Sequence, residues 1–377
     1  TGTTSQPVFI HGGGTISGVA SGDHAFEIRG STHLIIDGLN FDGSTIVTGF
    51  AGNGAFSISG GSERITVRNS LIHDYPDPYE RTNQPGRSSF FANTFITDAQ
   101  YVAIINNSFT DIGTYPPAYE TGKHLIAGGS DTAWVWIVGN EFVRGSEDAI
   151  QIRANSDAEP NFFWTIAGNL FESMGENAVD VKTGSEVIVA SNVACDFRPV
   201  TFANGSGSGG VAFTFNNDNG GPRESWLINN ITTTCSGSGG TDGTVNIGFM
   251  MQSDAGTNYV VGNLFDQTVS RGMWIGSSSV PVIEMNTFYA PGDDGILISY
   301  SGSPGGSIVG NIVVDPPTGE DAINLNQTYM QGWARDNVLF DPDGPVGEKN
   351  VPAGDNLLDV DPKLVDPDND NFYLAPD

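Results

Sequence analysis

Along much of the chain, apolar and polar residues alternate with a period of two in short stretches, as strands with one buried face do. Two such stretches, Asp148-Ala-Ile-Gln-Ile-Arg153 and Asn177-Ala-Val-Asp-Val-Lys182, read as one strand written twice. Ile150, Ile152, Val179 and Val181 fall on one side; Gln151, Arg153, Asp180 and Lys182 fall on the other. Stacked as neighbours about 4.8 Å apart, they bring two cations and a carboxylate into one small patch of surface. That patch is the leading candidate for an active site.

The alternation is punctuated by a recurring unit: an apolar strand, an Asn, then a second short apolar or aromatic strand. It occurs at Asn69, Asn107, Asn140, Asn169, Asn192, Asn230, Asn263, Asn286, Asn311 and Asn337, at intervals of 23 to 38 residues. Ten copies at that spacing predict a solenoid with loop insertions. An Asn at a bend tolerates the left-handed conformation and can bond to its equivalents above and below, forming a ladder. The expected fold is all-β, a parallel β-helix of three short strands per coil and about ten to twelve coils. Fifty glycines and twenty prolines agree with a chain dense in turns.

On these Asn-turn coils, over about residues 8 to 340, the chain resembles the right-handed parallel β-helix proteins of the pectate lyase superfamily. The resemblance implies one β-helix domain over 1–377, with 341–377 as a C-terminal capping segment. It also implies a groove on the sheet whose strands precede each Asn turn by half a coil, among them Ala149 to Arg153, Ala178 to Lys182 and Ala212 to Asn216. The middle coils place Arg153, Lys182, Asn216 and Gln252 in a row, whereas the final coils offer mostly Ser, Leu and Asn. Insertions at 74–91, 111–123, 154–163, 198–210 and 217–225 would wall the groove on both sides. They carry Arg81 and the tyrosines Tyr75, Tyr79, Tyr115 and Tyr119, which could contact or stack on sugar rings.

Charge narrows the partners. Forty-four Asp and Glu against fifteen Lys and Arg give a net charge of −29, which repels nucleic acid and anionic membranes. No apolar run approaches the roughly 20 residues of a membrane span, and a chain starting at Thr1 without a signal peptide reads as the mature form of a secreted, monomeric protein. Cys195 and Cys235 fall at nearly equivalent places in adjacent repeats and could form a disulfide or two buried thiols.

A polyanionic substrate would need a local cationic site, and Arg153 with Lys182 supplies one. β-Elimination of a uronic-acid polymer requires the sugar carboxylate to be neutralised, a base for the C5 proton and an acid for the leaving oxygen. Lys182 can be that base only with a lowered pKa, which Arg153 one strand away would favour and Asp180 would oppose. His124, one coil earlier, is a second base or a hydrogen-bond donor to substrate; Gln151 and Asn216 are candidate substrate contacts. Glu147, Asp148, Glu176 and Asp180 could hold Ca2+, although acidic residues recur at the same turn in late coils at Asp293, Asp294, Glu320 and Asp321. The other histidines, His11, His24, His33 and His73, read as lacking a cluster.

The lysine-and-arginine pattern is similar to that of family-six alginate lyases and chondroitinase B and of family-nine pectate lyases. The match extends to Lys182 as base and Arg153 as charge neutraliser or acid. The paired-Glu, Asn and Lys motif of the former and the four aspartates of the latter are missing. A glycoside hydrolase using Asp180 with Asp148 or Glu176 is the second reading, without the signatures of polygalacturonases. The third is a non-catalytic carbohydrate-binding or adhesive solenoid in which Asp180 and Lys182 form only a surface ion pair.

Overall fold

A computed structural model describes residues 2–17, 24–46, 54–76, 91–113, 115, 123–154, 161–197, 200–201, 207–216, 221–235, 245–252, 256–276, 280–299, 306–326, 334–351, 355–367 and 371–374. Three long sheets run through them. The sheet expected to carry the groove has 12 strands, from Phe26–Arg29 to Gly347–Lys349, and its companions have 14 and 13. One coil shows the plan: Ile150–Ile152 lies in the groove sheet, Phe162–Ala167 in the second and Leu170–Met174 in the third. Val179–Val181 then returns beside Ile150–Ile152. Strand pairings within the three sheets are parallel, and each coil advances to the next in the sense that parallel crossovers adopt. The chain is a right-handed parallel β-helix, as its repeats predict.

The inner residues of all three sheets form one core. Ile150, Ile152, Trp164, Ile166, Phe171, Val179 and Val181 are almost wholly buried in it. Phe109, Phe142 and Phe171 stack coil on coil with ring centroids 4.9 and 5.0 Å apart. Such repeated burial replaces the helices that cover parallel sheets in other architectures.

At the turn between the second and third sheets the Asn ladder is present, with one change of register. The backbone N–H and side-chain Nδ2 of Asn107 both donate to Asn140 Oδ1, at 2.9 and 3.0 Å. The pattern repeats through Asn169, Asn192, Asn230, Asn263, Asn286, Asn311 and Asn337 to Asn356. Asn69 is not a rung: Ser70 occupies the slot and its N–H donates to Asn107 Oδ1 at 3.0 Å. The left-handed residue is the one before the rung, Asn69 and Asn106 with φ of 50° and 52°, and Gly139 and Gly168 in later coils. The bend and the ladder are thus two adjacent positions, which the sequence reading had merged into one.

Of the segment read as a cap, Gly347–Lys349 and Leu357–Leu358 still add to the groove and third sheets. Leu364–Asp366 and Asn371–Leu374 pair antiparallel beyond them. Cys195 and Cys235 form a disulfide between neighbouring coils.

Candidate functional site

On the groove sheet, two outward rows carry the candidate chemistry. Ala127, Gln151, Asp180 and Thr214 are aligned on consecutive coils. Two residues further along each strand stand Arg153, Lys182 and Asn216, each partly exposed. The alternation therefore placed Asp180 on the correct side of the sheet, but it does not lie at the surface: Gln151 and Asp180 are each 2 % exposed and Thr214 is 1 % exposed.

His124, Asp148 and Asn177 stand at the entry to this sheet on three consecutive coils. Asp148 is wholly buried and its oxygens are taken: Oδ1 accepts the backbone and side-chain N–H of Asn177 at 3.0 and 2.7 Å. Oδ2 accepts Gln151 Nε2 at 2.8 Å and lies 3.2 Å from His124 Nδ1. Gln151 Nε2 also reaches Asp180 Oδ2 at 3.5 Å, and Lys182 Nζ lies 3.2 Å from that oxygen. One network thus joins His124, Asp148, Gln151, Asp180 and Lys182 across three coils. Gln151 Oε1, Asp180 Oδ1 and Thr214 Oγ1 are buried within or beside it with no hydrogen-bond partner.

Protonation divides the carboxyls. Burial pushes Asp148 up, but the hydrogen bond and charge of His124, with Lys182 and Asn177, outweigh it and hold the group below its ordinary range. Burial pushes Asp180 up to about 7, against the pull of Lys182 and helped by the charge of Asp148. Burial also drives Glu176 well above its usual value, with the charges of Asp148 and Glu147 and a hydrogen bond to Glu147 adding to it. For Lys182, burial is outweighed by Asp180 and Asp148, and its pKa rises. Of the two opposing influences expected, that of Asp180 prevails over that of Arg153: its carboxyl oxygen lies 3.2 Å from Nζ and favours the charged form.

The expected calcium set does not assemble either. No three of Glu147, Asp148, Glu176 and Asp180 converge with the spacing a hard cation needs. The reason is local: Asp148 is filled by Asn177, Gln151 and His124, Asp180 is tied to Lys182, and Glu147 and Glu176 hydrogen-bond to each other. Among the described residues, groups that do converge are Asp42 with His73 and Asp74, and Asp293 with Asp294 and Glu320. His73 therefore has, besides its sequence neighbour Asp74, an acidic partner in Asp42 that the stacking of coils brings beside it. Its Nδ1 lies 2.7 Å from Asp74 Oδ2 and its Nε2 2.8 Å from Asn40 Oδ1. The second cluster already holds a cation, since Arg271 reaches Asp293 at 2.5 Å and Asp294 at 3.6 Å.

Two tyrosines are structural. Tyr75 is 1 % exposed, its ring inside the core. The Tyr115 hydroxyl donates to Asp196 Oδ2 at 3.0 Å, an oxygen that also accepts Ser173 Oγ, so its polar end anchors the chain. Tyr79, Tyr119 and Arg81 lie outside the described residues, as do most of the expected insertions at 74–91, 111–123, 154–163 and 198–210 and the first part of that at 217–225. Thr214, which follows Asp180 in register, lies on the strand predicted at Ala212 to Asn216, where only its outward position marks it in the sequence.

A family model described as the right handed beta helix region matches residues 148–331. Among solved structures, a family-six polysaccharide lyase from Pseudopedobacter saltans is similar over 95% of this chain and 90% of its own, at 13% identity and a TM-score of 0.56. PfbA, a surface adhesin of Streptococcus pneumoniae, is similar over 89% of each chain, at 11% identity and a TM-score of 0.50. A pectate lyase from Bacillus sp. N165, solved with trigalacturonate, covers 68% of this chain and 73% of its own at 16% identity and a TM-score of 0.43. No curated protein matches the sequence. At these identities the likeness is one of fold, which enzymes and adhesins share.

Proposed function

We propose that the protein is a secreted enzyme that cleaves an acidic, uronic-acid-containing polysaccharide by β-elimination in the groove. The observation that carries this reading is the pairing of Arg153 and Lys182 on successive coils of a chain with net charge −29, directly above a buried acid–base network. The disulfide supports export.

The geometry redistributes the roles expected from the sequence. Lys182 keeps its proton, so with Arg153 it receives and neutralises the uronate carboxylate, which acidifies the C5 proton. His124, its ring oriented by Asp148 as in other carboxylate–imidazole pairs, is the group suited to accept that proton. Asp180, whose pKa burial raises to about 7 against the pull of Lys182, is the group suited to pass a proton to the leaving oxygen. No step is assigned to a metal, because the candidate ligands do not form a site for one.

A second reading has one observation in its favour. Asp148 and Asp180 are pushed apart in protonation, as the acid and base of a glycoside hydrolase are. Against it, Asp148 already has both oxygens bonded.

Incubation with alginate, polygalacturonate and chondroitin sulfate separates these readings. Elimination creates an unsaturated uronate that absorbs in the ultraviolet, and hydrolysis yields reducing ends without that absorbance. Absorbance growing with the wild type and absent with His124→Ala supports the proposal. Reducing ends alone favour the hydrolase, and no product from any polymer leaves a non-catalytic solenoid.

A further inference from the structure

The outward row that begins with Gln151, Asp180 and Thr214 does not stay polar. In register on the next three coils it continues as Met250, Trp274 and Leu297, all partly exposed. An aromatic ring facing outward in the proposed groove has a ready use, and this one is held in a fixed pose. Its Nε1 donates to Ser299 Oγ at 2.7 Å, on the following coil. A Cβ built on Gly276 would touch the ring at 3.4 to 3.6 Å, so the indole lies along its own strand over a residue with no side chain. The glycine lets the ring lie low, the serine fixes its direction, and Met250 and Leu297 flank it above and below.

We propose that Trp274 is the platform of a distal sugar subsite in the same groove. This rests on the carbohydrate-cleaving reading and extends it to substrate length. From the Asp180 level to the Trp274 level there are three coil spacings, about 14 Å, the length of roughly three pyranose units. A sugar ring lays its C–H face on an aromatic surface and keeps its hydroxyls at the rim. Arg271, three residues before Trp274 in the chain, is already paired with Asp293 and Asp294. The subsite therefore recognises the ring face and not the carboxylate, and it takes a sugar unit of the polymer whether or not that unit is charged. The ligand is a chain long enough to reach from the cationic pair to the indole.

The test compares wild type, Trp274→Ala and Trp274→Phe on the polymers named above and on their short and long oligosaccharides. The wild-type KM is expected to fall once the oligosaccharide exceeds about four units, the span implied by the coil spacing. Trp274→Ala should lose that gain, on the order of tenfold in KM, while kcat on the shortest cleaved oligosaccharide stays unchanged. Trp274→Phe should restore most of it. An unchanged dependence on chain length in Trp274→Ala overturns the proposal while leaving the cleavage reading intact. If the wild type cleaves nothing, that reading falls, and the subsite is judged by migration through gels containing each polymer. Retardation weakened in Trp274→Ala then upholds the platform; equal retardation, or none, overturns it.

Discussion

The middle and late coils of the groove sheet are built on one plan and diverge in what they place on it. In the middle, Asp148 is met by His124 from the coil before and by Gln151 three residues on. In the late coils, Asp294 is met by Arg271 from the coil before and by Asn324, which donates at 3.2 Å. A carboxylate at the entry to the strand, tied to a basic side chain and an amide, is therefore part of how this solenoid closes a coil. The outward positions carry the difference. Asp180, Thr214 and Lys182 face one end of the sheet, and Trp274, Leu297 and Ser299 face the other. Shared residues belong to the scaffold, and the residues that differ are where function is to be sought.

Substitutions that act on the outward rows should break this comparison most visibly. Lys182→Ala is expected to lower kcat/KM on the cleaved polymer by about 100-fold or more, the size of losing one electrostatic partner of the reacting group. Ser299→Ala, its counterpart in the late row, should stay within about threefold, since rate differences that small correspond to well under 1 kcal/mol. Steady-state kinetics on both variants checks the contrast.

The scaffold positions should separate by stability. Asp148→Ala leaves Asn177, Gln151 and His124 without their buried acceptor and is expected to cost about 3 to 5 kcal/mol. Asp294→Ala should cost less, about 1 to 2 kcal/mol, because Arg271 keeps Asp293 and is partly exposed. Denaturant unfolding of the two variants measures the difference; equal losses would mean that the two coils are not distinguished by burial.

The effect of pH is smaller and has a definite sign. Asp180 has a folded pKa of about 7, above its unfolded value, so it binds more protons folded than unfolded between about pH 4 and 7. Its contribution is complete below that window and is lost as pH rises through it. Glu176, Asp294 and Asp321 are raised too and act in the same direction. Asp148 and Asp37 are lowered and lose their contribution only below about pH 4. The melting temperature should therefore be higher near pH 5 than near pH 8, and Asp180→Asn should flatten that slope. The smallest expected effect is that of chelation: EDTA should leave turnover unchanged, since Glu147, Asp148, Glu176 and Asp180 do not converge on one point.

Much of this could be read in the residues. The Asn repeat carried the fold, because a ladder imposes the same residue at the same bend in every coil. It failed at Asn69, where Ser70 can fill the rung and an Asn one place earlier mimics the pattern. Alternation gave the correct side of the sheet for Gln151 and Asp180, but it reports direction and not depth, so their burial was hidden. The protonation of Lys182 was hidden for a related reason: two opposing neighbours were visible, and only distance could rank them. Trp274 went unnoticed because Met-Trp-Ile reads as one more apolar strand until its register with Asp180 is known.

The Asn ladder also gives the solenoid a direction. Each rung donates toward the C-terminal coil and accepts from the N-terminal one, so the two ends of any excised stretch are chemically unlike. A cut before Asn230 would strip Asn230 Oδ1 of its two donors, and a cut after it would leave two N–H groups without their acceptor. Whole coils could in principle be added or removed between such ends, because head always meets tail. Turning a block of coils end for end would set donor against donor. The amide spine thus acts as a keyed joint: it leaves the number of coils free to change while fixing their orientation.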